Sequence, residues 1–128
     1  MMADEDLPFF CYISTNAPHG PFNVREKYSA PYLEQGIPEQ RARFYGMIAN
    51  IDENVGQLRQ DLVDNNQAEN TILIFMGDNG TAAGTGLTKD GFPTNGFNAN
   101  MRGKKTWVYD GGHRNTCFVY WPEGGLSD

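Results

Sequence analysis

A short apolar run that ends in polar residues constrains this chain more than any other feature. Residues 71–76 (Thr-Ile-Leu-Ile-Phe-Met) are rich in β-branched and apolar residues and have the length of a buried strand. Gly77, Asp78, Asn79 and Gly80 follow directly. Ligands of open α/β sheets bind just outside the carboxyl ends of strands, and carboxylate and amide oxygens suit Ca²⁺ or Mg²⁺. The run therefore indicates either a divalent-cation site at Asp78 and Asn79 or an ordinary turn, in which Gly80 spares the backbone a Cβ penalty.

Two further strands and one long helix are predicted around this run. Residues 9–14 and 117–121 are short apolar stretches of strand length. A helix is predicted from about residue 39 to residue 65, because apolar residues recur there at alternating steps of four and three: Phe44, Ile48, Ile51, Val55, Leu58 and Leu62. A strand, a helix and a strand at this spacing imply a right-handed parallel crossover. The fold class predicted is α/β, with a mainly parallel sheet and packed helices.

Glycine and proline mark the irregular parts of the chain. Residues 16–38 hold four prolines and two glycines and are predicted to form an irregular loop. Residues 80–103 show no periodicity and are predicted to form a second loop, of a length that is usually functional or mobile. Gly46 and Gly56 lie inside the predicted helix, where each costs about 1 kcal/mol relative to Ala. We expect them to allow close packing on the sheet; the alternative is a helix broken near one of them.

Composition bounds the function classes. A chain of 128 residues forms one domain at most, and its net charge of −6 argues against nonspecific binding to nucleic acid. No apolar run approaches the roughly 20 residues that span a membrane, and the acidic residues 1–6 lack the apolar stretch of a signal peptide. Cys11 and Cys117 lie in apolar runs and are expected to be buried free thiols, although a disulfide between them stays open.

Four segments form an ordered set of motifs. They are Ala17-Pro18-His19 after the first strand, the helix segment 45–56, the strand end 75–80, and residues 102–114, which lead into the last strand. Together they resemble the sulfatase family, within the alkaline-phosphatase superfamily, over nearly the whole chain (residues 8–122). The resemblance implies a partial alkaline-phosphatase-like catalytic domain over residues 1–128, from an arylsulfatase-like hydrolase that acts on sulfate esters.

The resemblance also assigns catalytic and substrate-binding roles to His19 and Lys105. The imidazole of His19 could donate to a sulfate oxygen or to the bridging ester oxygen. The ammonium of Lys105 could neutralise charge that builds on a sulfate oxygen in the transition state. Arg102 and the Gly111-Gly112 pair fix the register of the family lysine at Lys105, with Lys104 one place off.

Asp78 and Asn79 are the metal ligands that the resemblance implies. Sulfatases bind one Ca²⁺ or Mg²⁺, and here we expect Ca²⁺ rather than Mg²⁺. The family supplies further ligands from an Asp-Asp pair on an earlier strand. The only acidic cluster before His19 is Asp4-Glu5-Asp6, which lies in no such context. Because Ca²⁺ prefers six to eight oxygens, the chain is predicted to hold about half of the metal shell.

The family nucleophile has no match in this sequence. Sulfatases carry a Cys or Ser, oxidised to formylglycine, in a Cys/Ser-x-Pro/Ala-x-Arg sequence, where x is any residue. Cys11 is followed by Tyr-Ile-Ser-Thr and Cys117 by Phe-Val-Tyr-Trp, and no serine fits the pattern either. Asn115-Thr116 also departs from the family, where a proline commonly stands at position 116. The chain is therefore interpreted as the second half of a sulfatase catalytic domain, inactive by itself.

Two alternatives stay open. The first is a phosphodiesterase or phosphonate monoester hydrolase of the same superfamily. The second is a noncatalytic α/β module that folds by self-association, because a partial sheet leaves an open edge or an apolar face to be covered. Self-association is expected of a partial sulfatase domain as well. The sequence specifies neither the substrate nor the cellular location.

Overall fold

The structure is a computed structural model that describes residues 7–81 and 85–127. The acidic residues 1–6 and residues 82–84 of the second predicted loop lie outside this part. The elements are α1 (Glu26–Glu34), α2 (Glu39–Asp64), β1 (Leu73–Met76), α3 (Asp110–His113) and β2 (Cys117–Tyr120). The chain divides into two compact units, residues 1–61 and 62–128, which are described separately. Among the described helices, none combines the length and the apolar character needed to cross a membrane.

Helix α2 confirms the long helix predicted from apolar spacing. It spans Glu39–Asp64, one residue short of the predicted end, and Gly46 and Gly56 leave it unbroken. Its buried positions are Ala42, Gly46 and Met47 rather than the predicted apolar stripe, in which Ile48 is 43% exposed. The predicted stripe consists of large apolar residues, whereas the buried positions of α2 include two of its smallest residues.

Helix α1 corrects the predicted loop over residues 16–38. Glu26 in its first turn lies at the positive end of the helix dipole, and Pro31 lies inside the helix. Pro31 is one of the four prolines on which the loop prediction rested, and it costs the helix one hydrogen bond because it has no backbone N–H to donate. Packing offsets this loss: the Tyr32 and Tyr45 rings meet edge to face at 5.4 Å between centroids, and Ser29 is buried.

The close packing expected at Gly46 is present, but against a helix rather than a sheet. A Cβ placed on Gly46 would lie 3.1 Å from the backbone nitrogen of Ser29 and from the carbonyl oxygen of Tyr28. The backbones of α1 and α2 therefore approach each other at Gly46. Gly56 has nothing within 4 Å of such a Cβ, so close packing is not its role.

The described sheet is antiparallel, which corrects the prediction of a mainly parallel sheet. Strands β1 and β2 pair from Leu73 opposite Tyr120 to Met76 opposite Cys117. Both strands lie within the predicted ranges 71–76 and 117–121. An apolar run of strand length does not encode the direction in which a strand runs. A hydrogen bond from Gly77 N to the Thr116 carbonyl oxygen (3.0 Å) continues the antiparallel pairing beyond β1.

The strand predicted over residues 9–14 is absent from the described part of the chain, and the parallel crossover that depended on it is absent too. Phe10 is 93% exposed and Tyr12 is 80% exposed. A strand needs a neighbour for its backbone N–H and C=O groups, and the described part of the first unit holds helices α1 and α2 but no strand to pair with this stretch. Cys11 and Cys117 are exposed free thiols, so the prediction of buried thiols is wrong, and they form no disulfide.

The second loop prediction is confirmed as far as residues 80–103 are described. Residues 80–81 and 85–103 form no helix or strand beyond one isolated bridge between Leu87 and Pro93. Backbone hydrogen bonds nevertheless order this stretch, for example from Gly103 N to the Gly91 carbonyl oxygen at 2.8 Å.

Candidate active site

The turn at residues 77–80, called the Asp–Asn turn below, lies where β1 ends. Asp78 is exposed and Asn79 is half-buried. The side-chain nitrogen Nδ2 of Asn79 donates to Oδ1 of Asp78 at 2.9 Å. Within the described residues, Oδ2 of Asp78 and Oδ1 of Asn79 have no hydrogen-bond donor. Two hard oxygens from adjacent residues are thus left to bind a ligand.

Gly80 joins the Asp–Asn turn to the glycine pair that precedes β2. Its N–H donates to the Gly112 carbonyl oxygen at 2.9 Å. A Cβ on Gly80 would lie 2.0 Å from the Gly111 carbonyl oxygen, far inside van der Waals contact. The sequence favoured glycine here for its turning freedom. The structure gives a different reason, since the two backbones approach too closely for any side chain.

The backbone of Lys105 is hydrogen-bonded to the residue that follows the Asp–Asn turn. Its N–H donates to the Thr81 carbonyl oxygen at 2.8 Å, one residue beyond the Asp–Asn turn. The half-buried Lys105 side chain makes no hydrogen bond or ion pair to the described residues. In contrast, Nζ of Lys104 donates to the Thr85 carbonyl oxygen at 3.0 Å. The two neighbouring lysines therefore differ: the ammonium group of Lys104 is engaged by the loop, and that of Lys105 has no partner among the described residues.

His19 lies in the first unit, whereas Asp78, Asn79 and Lys105 lie together in the second. The backbone N–H of His19 donates to the Asn16 carbonyl oxygen at 3.0 Å. Its ring atom Nδ1 lies 2.8 Å from the Gly20 carbonyl oxygen, a contact that requires the proton on Nδ1. Nε2 of the exposed imidazole has no hydrogen-bond partner among the described residues, so it is the ring nitrogen that can face a ligand.

Asn115 is a residue of the site that the sequence did not single out. Its Nδ2 donates to the Asn79 carbonyl oxygen, and its Oδ1 accepts from Thr116 N–H at 2.8 Å. The one signal in the sequence was the departure at Asn115-Thr116, where the family commonly has proline. A proline at position 116 would have no N–H to give to Oδ1.

The donor chemistry at the Asp–Asn turn fits a hard cation in part. Asp78 and Asn79 offer oxygens of the kind that Ca²⁺ and Mg²⁺ prefer. No group of three or more His, Cys, Asp or Glu side chains in the described part of the chain could hold a metal. Asp78 and Asn79 thus provide two of the six to eight oxygens that Ca²⁺ takes.

A second polar cluster lies in the first unit, at an open cavity of about 530 Å³. The hydroxyl of Tyr28 donates to Oε2 of Glu53, and Nζ of Lys27 lies 3.4 Å from the same oxygen. The Tyr28 hydrogen bond, followed by Lys27, holds the pKa of Glu53 below its ordinary value. The cluster joins α1 to α2, so we expect it to stabilise the packing of these two helices.

Comparison with known proteins identifies the family of this chain. The family model described as Sulfatase matches residues 2–127. The uncharacterized sulfatase YdeN of Escherichia coli (strain K12) is 30% identical over 119 residues, which cover 91% of this chain and 19% of that protein. Human N-acetylgalactosamine-6-sulfatase is 32% identical over 115 residues, or 90% and 20% of the two chains. Human arylsulfatase G is 33% identical over 119 residues, or 90% and 21%.

A solved structure agrees with this assignment. The crystal structure of Ps i-CgsB in complex with k-i-k-neocarrahexaose superposes with a TM-score of 0.78 at 30% identity, over 97% of this chain and 25% of that one. The chain spans about a fifth of the length of the curated relatives named above. The family and the structural match imply an alkaline-phosphatase-like fold. The chain belongs to the sulfatase family.

Proposed function

We propose that residues 1–128 form part of the catalytic domain of a sulfatase that hydrolyses sulfate esters. The observation that carries this proposal is the backbone connection at the Asp–Asn turn. Hydrogen bonds from Gly80 N to the Gly112 carbonyl oxygen and from Lys105 N to the Thr81 carbonyl oxygen bring the glycine pair and the backbone of Lys105 next to the Asp–Asn turn. Oxygen ligands for a cation beside a positive side chain form an arrangement that receives a sulfate group.

Each predicted site residue has a role in this proposal. Asp78 and Asn79 supply two ligands to one divalent cation, Ca²⁺ rather than Mg²⁺; when bound, this cation polarises sulfate oxygens. Lys105 stabilises negative charge as it develops on the sulfate. His19 uses its free Nε2 to hold or move a proton at the ester or sulfate oxygen.

The nucleophile, in this proposal, comes from outside residues 1–128. The family resemblance assigns that role to a formylglycine formed from Cys or Ser, and neither Cys11 nor Cys117 stands in the required sequence. Positioning groups do not replace a covalent nucleophile. We therefore expect the 128-residue chain by itself to show no turnover of an aryl sulfate, in an assay beside a full-length relative. Turnover within about tenfold of that relative would overturn this part of the proposal.

The metal assignment is tested in the complete enzyme that carries this sequence. Asp78→Ala should lose bound metal and activity together, because one hard ligand and its charge are removed. Asn79→Ala should show a milder loss, since only a neutral oxygen is removed. Asp90→Ala, an exposed carboxylate in a loop of the same unit, is the matched control and should keep both. Elemental analysis measures the metal, and full occupancy in Asp78→Ala would contradict the ligand assignment.

A further part of the proposal is that the 128-residue chain associates with itself. In the first unit Phe9 and Phe10 are 51% and 93% exposed, and in the second unit Ile74 and Phe118 are 54% and 66% exposed. Exposed apolar patches and open strand edges favour association. Light scattering over a concentration series should show a dimer or a larger species. A monodisperse monomer at every concentration would contradict this expectation.

A further inference from the structure

The side chain of Asn115 uses both ends of its amide at the Asp–Asn turn. Nδ2 donates to the carbonyl oxygen of Asn79, and Oδ1 accepts from the N–H of Thr116 at 2.8 Å. A Cβ built on Gly77 would lie 1.8 Å from Nδ2 of Asn115. The amide therefore occupies the space that a side chain at position 77 would fill, and it spans the turn from its first residue to its third.

The peptide group between Asn79 and Gly80 is held at both ends as a result. Its carbonyl oxygen accepts from Asn115, and its N–H donates to the Gly112 carbonyl oxygen at 2.9 Å. A peptide group is planar, so fixing its oxygen and its hydrogen fixes its orientation about the chain. This orientation restricts ψ of Asn79 and thereby the direction in which the Asn79 backbone presents its side chain.

The constraint reaches Asp78 through the side chains of the turn. Nδ2 of Asn79 donates to Oδ1 of Asp78 at 2.9 Å, so Oδ1 of Asn79 and Oδ2 of Asp78 are the side-chain oxygens of the turn that accept from no donor in the described part of the chain. Groups that do not touch a metal but orient its ligands typically change metal affinity by 10- to 100-fold when they are removed. Asn115 is placed to act in this way on Oδ2 of Asp78 and Oδ1 of Asn79, since it contacts the Asn79 carbonyl oxygen and neither of these two oxygens.

We infer that Asn115 is a positioning residue that sets the direction of the Asp78 and Asn79 oxygens toward the cation. This inference rests on the proposed function, because it needs a cation at the Asp–Asn turn. It goes further in naming a residue that acts through the Asn79 carbonyl oxygen rather than on the metal or the substrate. Without the Asn115 amide, the peptide between residues 79 and 80 keeps one of its two hydrogen bonds and can rotate.

The test is calorimetric titration of the metal-free complete enzyme with CaCl₂. Asn115→Ala should raise the dissociation constant for Ca²⁺ by roughly tenfold. Saturating Ca²⁺ should restore kcat to within about twofold of the wild-type value, because the ligands themselves are intact. Asn70→Ala, which removes an exposed asparagine of the same unit outside the turn, is the control and should leave the dissociation constant unchanged.

A merely structural role for Asn115 predicts a different pattern. The melting temperature of the metal-free Asn115→Ala enzyme would fall while its Ca²⁺ dissociation constant matched that of the wild type, and this result would overturn the inference. If Asn115→Ala does not fold, Asn115→Ser takes its place, since serine can accept from Thr116 N–H but is too short to reach Asn79. An unchanged dissociation constant in that variant would overturn the inference equally.

Parallel titration of Asp78→Ala separates this inference from the proposed function. If Asp78→Ala binds Ca²⁺ as the wild type does, the metal site itself is misplaced and both proposals fail. If Asp78→Ala loses Ca²⁺ binding while Asn115→Ala keeps the wild-type affinity, the metal site stands and only the positioning role fails.

Discussion

Each of the two units of this chain is stabilised internally by a different kind of interaction. In the first unit, α1 and α2 have their own internal hydrogen bonds, and Ala42, Gly46 and Met47 are the buried positions of α2. In the second unit, most of the chain is loop, and hydrogen bonds between backbone groups distant in sequence connect it, as from Gly80 to Gly112 and from Gly103 to Gly91. Three of the four predicted site residues lie in this second unit.

The difference shows how irregular backbone can still present a defined site. Binding and catalytic residues often lie on loops that a scaffold positions, and in the second unit backbone hydrogen bonds between distant segments position the loops. The requirement is that backbones approach closely, which explains the glycines: a Cβ on Gly112 would lie 2.1 Å from the Trp107 carbonyl oxygen. Of the two glycines of α2 in the first unit, Gly56 has open space around a Cβ, whereas a Cβ on Gly46 would lie 3.1 Å from the backbone of Ser29 and Tyr28. The backbone approach at Gly46 is therefore less close than that at Gly112.

The largest effect that we expect concerns the two lysines of the second unit. In the complete enzyme, Lys105→Ala should lower the rate about a hundredfold, or roughly 3 kcal/mol, as the loss of one preorganised charge-stabilising group does. Lys104→Ala should change the rate little, because its ammonium group is engaged by the Thr85 carbonyl oxygen. Steady-state kinetics with an aryl sulfate measures both. A greater loss for Lys104→Ala would place the family register one residue earlier.

Gly80→Ala should break the backbone contact that joins the Asp–Asn turn to the glycine pair. Its Cβ would meet the Gly111 carbonyl oxygen at 2.0 Å, and a backbone oxygen cannot move aside as a flexible side chain can. Overpacking of this kind costs about 1–3 kcal/mol. Urea denaturation of the chain measures this cost. Gly86→Ala is the control with a smaller loss, because its Cβ would meet side chains rather than backbone: Oγ1 of Thr94 at 2.7 Å and Nδ2 of Asn95 at 3.9 Å. Equal stabilities would show that the contact can relax.

Two glycines of α2 provide the matching experiment in the first unit. Gly56→Ala should increase the free energy of unfolding by about 1 kcal/mol, since alanine favours the helix and nothing lies within 4 Å. Gly46→Ala gains the same propensity but crowds the backbone of Ser29 and Tyr28 at 3.1 Å, so its stability should fall below that of Gly56→Ala. Urea denaturation compares the two, and an equal gain would mean that α1 can shift away from α2.

The smallest effect that we expect is a change in acid stability at the Glu53 cluster. Tyr28→Phe removes the hydrogen bond that does most to lower the pKa of Glu53, so this pKa should rise toward its ordinary value. A lowered carboxyl pKa stabilises the folded state above the unfolded pKa, and that stability is lost as the pH falls through the folded pKa. The variant should therefore lose less stability than the wild type on acidification below about pH 4.5. An NMR titration of Glu53 checks the shift; Glu34→Gln, an exposed acid in α1 outside the cluster, should leave it unchanged.

Several features of the fold could be predicted from local sequence because local interactions decide them. Helix α2 was predicted to within one residue, since its apolar spacing and its internal hydrogen bonds both depend on neighbours three and four residues away. Strands β1 and β2 fall inside the predicted runs because a short run of β-branched and apolar residues is itself a local signal. Helix α1 was missed because Pro31 is unfavourable locally and is tolerated only where α1 packs on α2.

The candidate site divides in a similar way. The sequence motifs supplied His19, Asp78, Asn79 and Lys105, and the family that they indicated is confirmed; the roles of these four residues stay predictions. The distinction between Lys104 and Lys105 rested on register alone, to which the structure adds a physical difference in what each ammonium group contacts. Asn115 was not predicted, because its partner, the Asn79 carbonyl oxygen, lies 36 positions away.

The sequence by itself determined the family, the long helix, the position of the strands and the polar residues at the end of β1. Only the tertiary structure decided the antiparallel direction of β2, the helix at residues 26–34, the exposure of Cys11 and residues 9–14, and the reason for Gly80. The physical reason is the range of the interactions involved. Periodicity and motifs record contacts between near neighbours, whereas strand direction and close backbone approach depend on which distant segment donates a hydrogen bond or a carbonyl oxygen.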